Sequence, residues 1–244
     1  MSKKKKSIKF LSIFALLLVL IVAATIAFRL VDFSQETQRL PLWDMADHGY
    51  DSVKLVESVK NLDFIRFLDH INGMGVWPPV FPIMEFPVFL IFGYDYSVAR
   101  AFVSILFAFC ILAIFLVGSE LENSKGILVG AISVALMCLS PFYQLFGVLV
   151  MLEIPGTLLL LLATLFYIKY VKTDSSKYLK LTCIFTVALF FCKYNYGLMW
   201  IIPLAINEAW RESLLSRKNI KNAFSKLIQF GRNKPFFADR KSVV

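Results

Sequence analysis

The sequence predicts an all-α membrane protein of about six transmembrane helices, with an outer loop of amphipathic surface helices. Three observations carry this expectation. Hydrophobic residues make up 58% of the 244 positions and charged residues only 18%, whereas soluble domains hold about 45–50% and about 25%. The net charge of +9 is gathered in blocks: five lysines in residues 1–9, four lysines and one acid in residues 169–180, and nine bases against two acids in residues 209–244. Residues 30–96 hold ten acids and four bases. Apolar stretches of about span length separate these blocks, so basic segments mark the cytoplasmic side. The composition excludes a disordered chain and argues against a soluble globule. The charge reports orientation, and no nucleic-acid partner is needed to explain it.

Residues 10–28 run for 19 positions without a charge, after the lysine block. They predict a first span with its N-terminus inside. A cleaved signal peptide is the rival reading, because Thr25-Ile26-Ala27 resembles a cleavage site; against it, the apolar run exceeds the usual core of roughly 7–15 residues. Residues 97–118 return to the cytoplasm, with Arg100 near the outer end. Residues 126–140 go out and stop at Pro141, and 145–170 come back, interrupted by Glu153-Ile154-Pro155-Gly156. Residues 179–209 read either as one helix or as two short ones, 179–192 and 197–209, broken at Lys193-Tyr194-Asn195-Tyr196-Gly197. The broken version returns the basic tail to the cytoplasm and agrees better with its charge. Short helices around a polar break are tolerated where they line a cavity in the protein. The expected organisation is a transmembrane module over residues 1–209, with an outer loop at 30–96, and a basic cytoplasmic tail at 210–244.

The outer loop is more than a linker. Residues 46–71 set Leu55, Val59, Leu62, Phe64, Phe67, Leu68 and Ile71 among charges every few positions, the pattern of one or two amphipathic helices on a membrane surface. Gly73, Gly75 and Trp77-Pro78-Pro79 follow as an extended turn. Val80–Phe92 is apolar but only 13 residues long and is interrupted by Pro82, Glu85 and Pro87. It predicts a re-entrant or surface segment. Cys110, Cys138, Cys183 and Cys192 all lie in apolar stretches without metal-ligand spacing and read as buried apolar residues.

The unusual polar residues fall at one membrane face: Asp44, Asp47 and His48 in the outer loop, Arg100 and Glu153 near outer helix ends, and Lys193 at the outer turn. Ionisable groups at membrane depth are costly and tend to mark function. Separate snorkelling to water is the alternative reading for each, strongest for Arg100.

Five short motifs carry a family resemblance: Trp43-Asp44-Met45-Ala46-Asp47-His48, Trp77-Pro78-Pro79, the stretch from Gly93 to Arg100, Met151-Leu152-Glu153-Ile154-Pro155, and Lys193-Tyr194-Asn195-Tyr196-Gly197. In order and placement, over about residues 40–200, they resemble the N-terminal half of C-type membrane glycosyltransferases. These are the dolichyl-phosphate-mannose protein mannosyltransferase family and its bacterial and archaeal relatives, including lipid A aminoarabinose transferase. Family members are longer, so the chain is expected to correspond to a piece or a shortened form of one. Asp44 matches the Asp thought to be catalytic. The family has Glu at the next position, here Met45, and Asp47 is the candidate to take its place.

The resemblance implies a polyprenyl-phosphate sugar donor, a protein, glycan or lipid acceptor, and transfer with inversion on the face away from the cytoplasm of a multi-pass cell-membrane protein. The chemistry suits the residues. Attack of a hydroxyl on an anomeric carbon passes through an oxocarbenium-like state, and a carboxylate, Asp44, can take the proton. The leaving lipid phosphate needs a cation, Lys193 first and Arg100 second. Glu153 is placed to bind a sugar hydroxyl or orient Lys193, Trp77 to anchor at the lipid interface or stack on a sugar, and His48 to touch donor or acceptor. The residues call for no particular cofactor. A divalent metal on Asp44, Asp47 and His48 is an alternative with weak spacing. No Gly-rich phosphate loop argues for a directly bound nucleotide sugar. The rival functions are a transporter or flippase for a lipid-linked or anionic substrate, and a non-catalytic relative.

Overall fold

The computed structural model describes residues 3–36, 43–74, 77–121 and 125–211. Gly75 and most of the basic tail, residues 212–244, lie outside them. The chain divides into two units, residues 1–198 and 199–244.

The first unit is all-helical among its described residues. Its elements are α1 (Lys3–Glu36), α2 (Asp44–Lys60), α3 (Phe64–Gly73), α4 (Val80–Phe92), α5 (Tyr96–Leu121), α6 (Gly126–Leu139), α7 (Pro141–Phe146), α8 (Glu153–Thr173), α9 (Ser176–Phe190) and the start of α10 (Tyr194–Arg211). Three helices are long and apolar enough to cross a membrane: Ser12–Glu36 of α1, α5 and α8. α4 and α6 are apolar but shorter. The expectation of about six spans thus has three helices of spanning length and composition among the described residues.

α5 is the hub of the packing. It lies against α1, α4, α6 and α8. Its buried residues recur around most of the helix, from Ala99 and Arg100 through Val103, Phe107, Cys110 and Ile111 to Gly118, as expected of a helix surrounded by others. α1 and α6, by contrast, expose Ile21, Phe28, Leu128 and Leu136, an outward apolar face that suits lipid better than water.

Small residues let α5 and α6 approach closely. A methyl group added at Gly118 would stand 2.7 Å from the Gly130 Cα, and one at Gly130 would stand 2.6 Å from the Phe115 carbonyl oxygen. Gly130→Val is therefore expected to destabilise the fold by about 1–3 kcal/mol, read as a lowered unfolding midpoint in detergent. Gly49→Ala in α2, where the added methyl has nothing within 4 Å, is the contrast: it is expected to be neutral or slightly stabilising.

Two boundaries differ from the sequence expectation. The interruption assigned to Glu153-Ile154-Pro155-Gly156 lies one turn earlier, and those residues begin α8. The reason is that proline costs little in a first turn, where its missing N–H would have no partner. The non-helical stretch is 147–152, and two of its carbonyls accept hydrogen bonds from α5. Arg100 Nε donates to the Val148 carbonyl at 3.0 Å and Ser104 Oγ to the Gly147 carbonyl at 2.9 Å. The second break, assigned to residues 193–197, falls at 191–193, and Tyr194 to Gly197 already belong to α10. Gly197 permits the tight return, because a methyl there would meet the Phe190 Cα at 2.5 Å.

At the opposite ends of the spans, Glu120 of α5 pairs with Lys169 and Lys172 of α8, at 3.8 and 3.5 Å. In the second unit, residues 199–211 are helical, with Pro203 inside the helix and an Arg211–Glu208 ion pair of 2.8 Å.

Candidate functional site

α2 presents the first loop motif. Asp44 and Asp47 occupy its first turn, where unpaired backbone N–H groups favour negative charge. Asp44 is half-buried and Asp47 exposed. Trp43, just before them, holds φ at 53°, a conformation a residue with a side chain rarely adopts. One turn on, His48 is buried, and the buried stripe continues through Ser52, Leu55 and Val56. α2 packs this stripe on α4.

His48 sits edge-on to two aromatic rings, Trp77 at 4.9 Å and Phe81 at 5.9 Å between centroids. Trp77 is thus half-buried against α2. Burial pushes the imidazole below its ordinary range, opposed by the charges of Asp44, Asp51, Asp47 and Glu153, which pull it up. The ring is accordingly neutral near pH 7. Its Nδ1 has no hydrogen-bond partner among the described residues.

Glu153 opens α8 and meets Lys193, with Nζ to Oε1 at 2.5 Å. The two side chains are only 14% and 18% exposed. Gly156 makes the approach possible: a methyl there would press on the Tyr196 ring at 3.1 Å and lie 3.7 Å from the Lys193 Cβ. Lys193 Nζ also stands 4.7 Å from the centre of the Tyr196 ring. The second Glu153 oxygen, Oε2, is buried and without a partner among the described residues. Among the described residues the Lys193 ammonium is thus held by Glu153, and two buried polar atoms, His48 Nδ1 and Glu153 Oε2, have no partner. Buried polar atoms without partners are uncommon and call for an explanation.

The remaining candidates are placed differently. Arg100 is buried and directs its guanidinium to the carbonyls of Val148 and Ser34, so it ties α5 to the end of α1 and to the segment ahead of α8. Asp44, Asp47 and His48, considered above as a metal trio, do not converge: no group of three His, Cys, Asp or Glu placed to hold a metal ion occurs among the described residues.

Sequence reasoning treated Glu85 only as an interruption of an apolar run. Glu85 is fully buried on the face of α4 that carries Phe81 and Phe89, and its Oε2 lies 2.5 Å from Ser52 Oγ. A lone carboxyl in 13 apolar residues was the available signal.

The family model described as dolichyl-phosphate-mannose-protein mannosyltransferase matches residues 77–230, more than half of the chain. This corrects the expectation of a likeness to an N-terminal half alone, over about residues 40–200. The match leaves out the Asp44 motif and continues beyond Gly197 into the basic tail. The first-loop motif is short and departs from the family at Met45, whereas residues 77–230 hold the Pro-Pro entry to α4, the start of α8 and the Lys193 turn. No curated protein and no solved structure matches the chain.

Proposed function

The chain belongs to the dolichyl-phosphate-mannose-protein mannosyltransferase family, and from that premise we propose that it moves a sugar from a polyprenyl-phosphate donor to an acceptor hydroxyl at the outer face of a cell membrane. The observation that carries this reading is the mostly buried Glu153–Lys193 pair, whose second carboxylate oxygen has no partner among the described residues. A neutral imidazole and an open carboxylate oxygen suit the hydroxyls of a sugar, and an ammonium suits a phosphate.

In the reaction, the acceptor oxygen attacks the anomeric carbon while the bond from that carbon to the phosphate oxygen breaks. Asp44 takes the proton of the acceptor hydroxyl and offsets the positive charge building on the sugar ring. The phosphate leaves as an anion and needs no proton; Lys193 holds it. Glu153 fixes Lys193 through Oε1 and binds the sugar through Oε2, with His48 Nδ1 as a second contact. Trp77 backs the His48 ring. Asp47 stands near enough to bias the electrostatics of the loop. The donor sugar is mannose and the acceptor a protein in the reading closest to the family description.

The topology that serves this chemistry has six spans, residues 30–96 outside, and both termini in the cytoplasm. α3 then lies on the outer membrane surface. It buries no residue in the protein, and Phe64, Ile65 and Leu68 are 69%, 76% and 58% exposed. A fluorophore at Leu68 is expected to be quenched by brominated lipid about as strongly as one at the outer end of a span, and one at Arg66, on the opposite face of α3, less so. Quenching at neither position would place α3 in water.

The reading is tested by incubating the full chain in membrane vesicles with radiolabelled polyprenyl-phosphate mannose and an acceptor protein. Transfer of label from the lipid to the protein fraction supports it. Passage of the intact lipid across the bilayer without transfer would favour a flippase instead.

A further inference from the structure

We propose that Glu85 is a positioning residue that, as a neutral acid, locks α2 to α4 through a hydrogen-bond relay from its carboxyl to Ser52 and from Ser52 to the His48 carbonyl. The proposal rests on the reading above only in what the lock is for: α2 carries Asp44 and His48, and α4 follows Trp77.

The geometry is one of counting. Ser52 Oγ stands 2.5 Å from Glu85 Oε2 and 3.2 Å from the His48 carbonyl oxygen. A hydroxyl has one proton to give, so it can donate to only one of these two oxygens. With a carboxylate at Glu85, Ser52 can give its proton to the anion, because the His48 carbonyl already accepts a backbone N–H within α2, but Oε1, which has no partner among the described residues, becomes a buried bare charge. With a carboxylic acid, the Oε2–H donates to Ser52 Oγ and the Ser52 proton goes to His48. Every donor is then used, and only a neutral carbonyl oxygen is left over, a much smaller penalty.

Among the described residues no cation is paired with Glu85. On α2, His48 is neutral near pH 7. On α5, Tyr96 lies within reach of the Glu85 charge, and Arg100 is hydrogen-bonded to the Val148 and Ser34 carbonyls. Beyond the contact of the Val80 N–H with the Phe191 carbonyl, Lys193 is paired with Glu153. Burial accordingly raises the Glu85 carboxyl from about 4.5 to about 8, with the Ser52 hydrogen bond pulling slightly the other way.

The direction of the pH effect follows. When α2 lifts from α4, the carboxyl meets water and returns to its ordinary value near 4.5. The opened state therefore binds fewer protons, and opening becomes easier as pH rises from about 4.5, levelling above about 8. Between pH 7 and 9 His48 is mostly neutral in both states and contributes little. Opening of α2 is expected to rise about ten-fold over this interval.

Hydrogen exchange of α2 amides in the full chain, corrected for intrinsic rates, measures this without any appeal to activity. The wild type should lose about ten-fold in protection from pH 7 to pH 9. Glu85→Gln, whose amide can donate to Ser52 at any pH, should lose little. An infrared titration of the wild type should show a protonated carboxyl disappearing near pH 8, which needs no variant to fold. Equal loss of protection in both proteins, or no protonated carboxyl at pH 7, overturns the lock. Sugar transfer at pH 7 is the second readout, and it separates the lock from the reaction it serves. A chain with a titrating lock and no transfer at any pH would keep the lock and remove the transferase reading.

Discussion

Asp44→Asn is expected to lower sugar transfer by about 100-fold or more while leaving the unfolding midpoint of the protein nearly unchanged. In the proposed mechanism the substitution removes the charge that takes the acceptor proton and faces the developing positive sugar, yet it keeps the size of the side chain. Asn is also well tolerated at a helix start, so α2 should still begin where it does. The effect belongs in the turnover number: the carboxylate acts on charge that develops only in the transition state, so donor binding should change little. Asp47→Asn, one turn surface away and exposed, is the matched comparison. It is expected to cost much less, because its charge reaches the site only through solvent. Transfer rates and thermal midpoints of the two variants check both statements. Equal, small losses would remove Asp44 as the base.

Lys193→Met should cost as much in transfer and also destabilise the fold. Two effects combine here and can be separated. The variant removes the cation assigned to the lipid phosphate, and it leaves the Glu153 carboxylate mostly buried with no counter-charge. Breaking one side of such a pair typically costs about 3–5 kcal/mol, and the residual exposure of these two side chains puts the expected loss at the lower end. Replacing both partners, Lys193→Met with Glu153→Leu, removes the stranded charge and should recover most of the stability, since apolar substitutes for a buried pair are often neutral. Transfer should stay lost in the double variant. Recovery of both properties together would make the pair a structural clamp. Lys193→Arg is not a mild change at this place: Gly156 leaves room for the narrow lysine stem beside Tyr196, and the guanidinium fork needs a different geometry.

Much of this was legible in the sequence, and the reasons differ from element to element. The long spans α1 and α5 show themselves because nothing but a bilayer or a crowded core requires so many apolar residues in succession. Val80–Phe92 was legible to the residue, since Pro79 and Gly93 bracket it. The start of α8 was read as a break because Pro155-Gly156 looks like one; only the position of the proline within the first turn makes it a beginning. The residues at 147–152 carry no breaker beyond Gly147, and their non-helical path depends on Arg100 and Ser104, which are over forty positions away. The Glu153–Lys193 contact was expected from two polar residues at helix ends, but the role of Gly156 in permitting it depends on Tyr196 and appears only in three dimensions. Glu85 and Ser52 were missed for a related reason. A serine in an amphipathic helix and a glutamate in an apolar one look unremarkable until they are found 2.5 Å apart.

The central claim is that Asp44 and Lys193 serve one reaction centre, although 149 positions separate them in the numbering. Residues that act as a unit in catalysis do not add: once one is gone, losing the other costs little more. The most direct measurement is therefore the transfer rate of the Asp44→Asn, Lys193→Met double variant beside each single one, in the same vesicles with the same polyprenyl-phosphate donor. A double variant within about ten-fold of the worse single variant is the expected result. A loss equal to the product of the two single losses would place the residues in separate, independent roles and contradict the shared site.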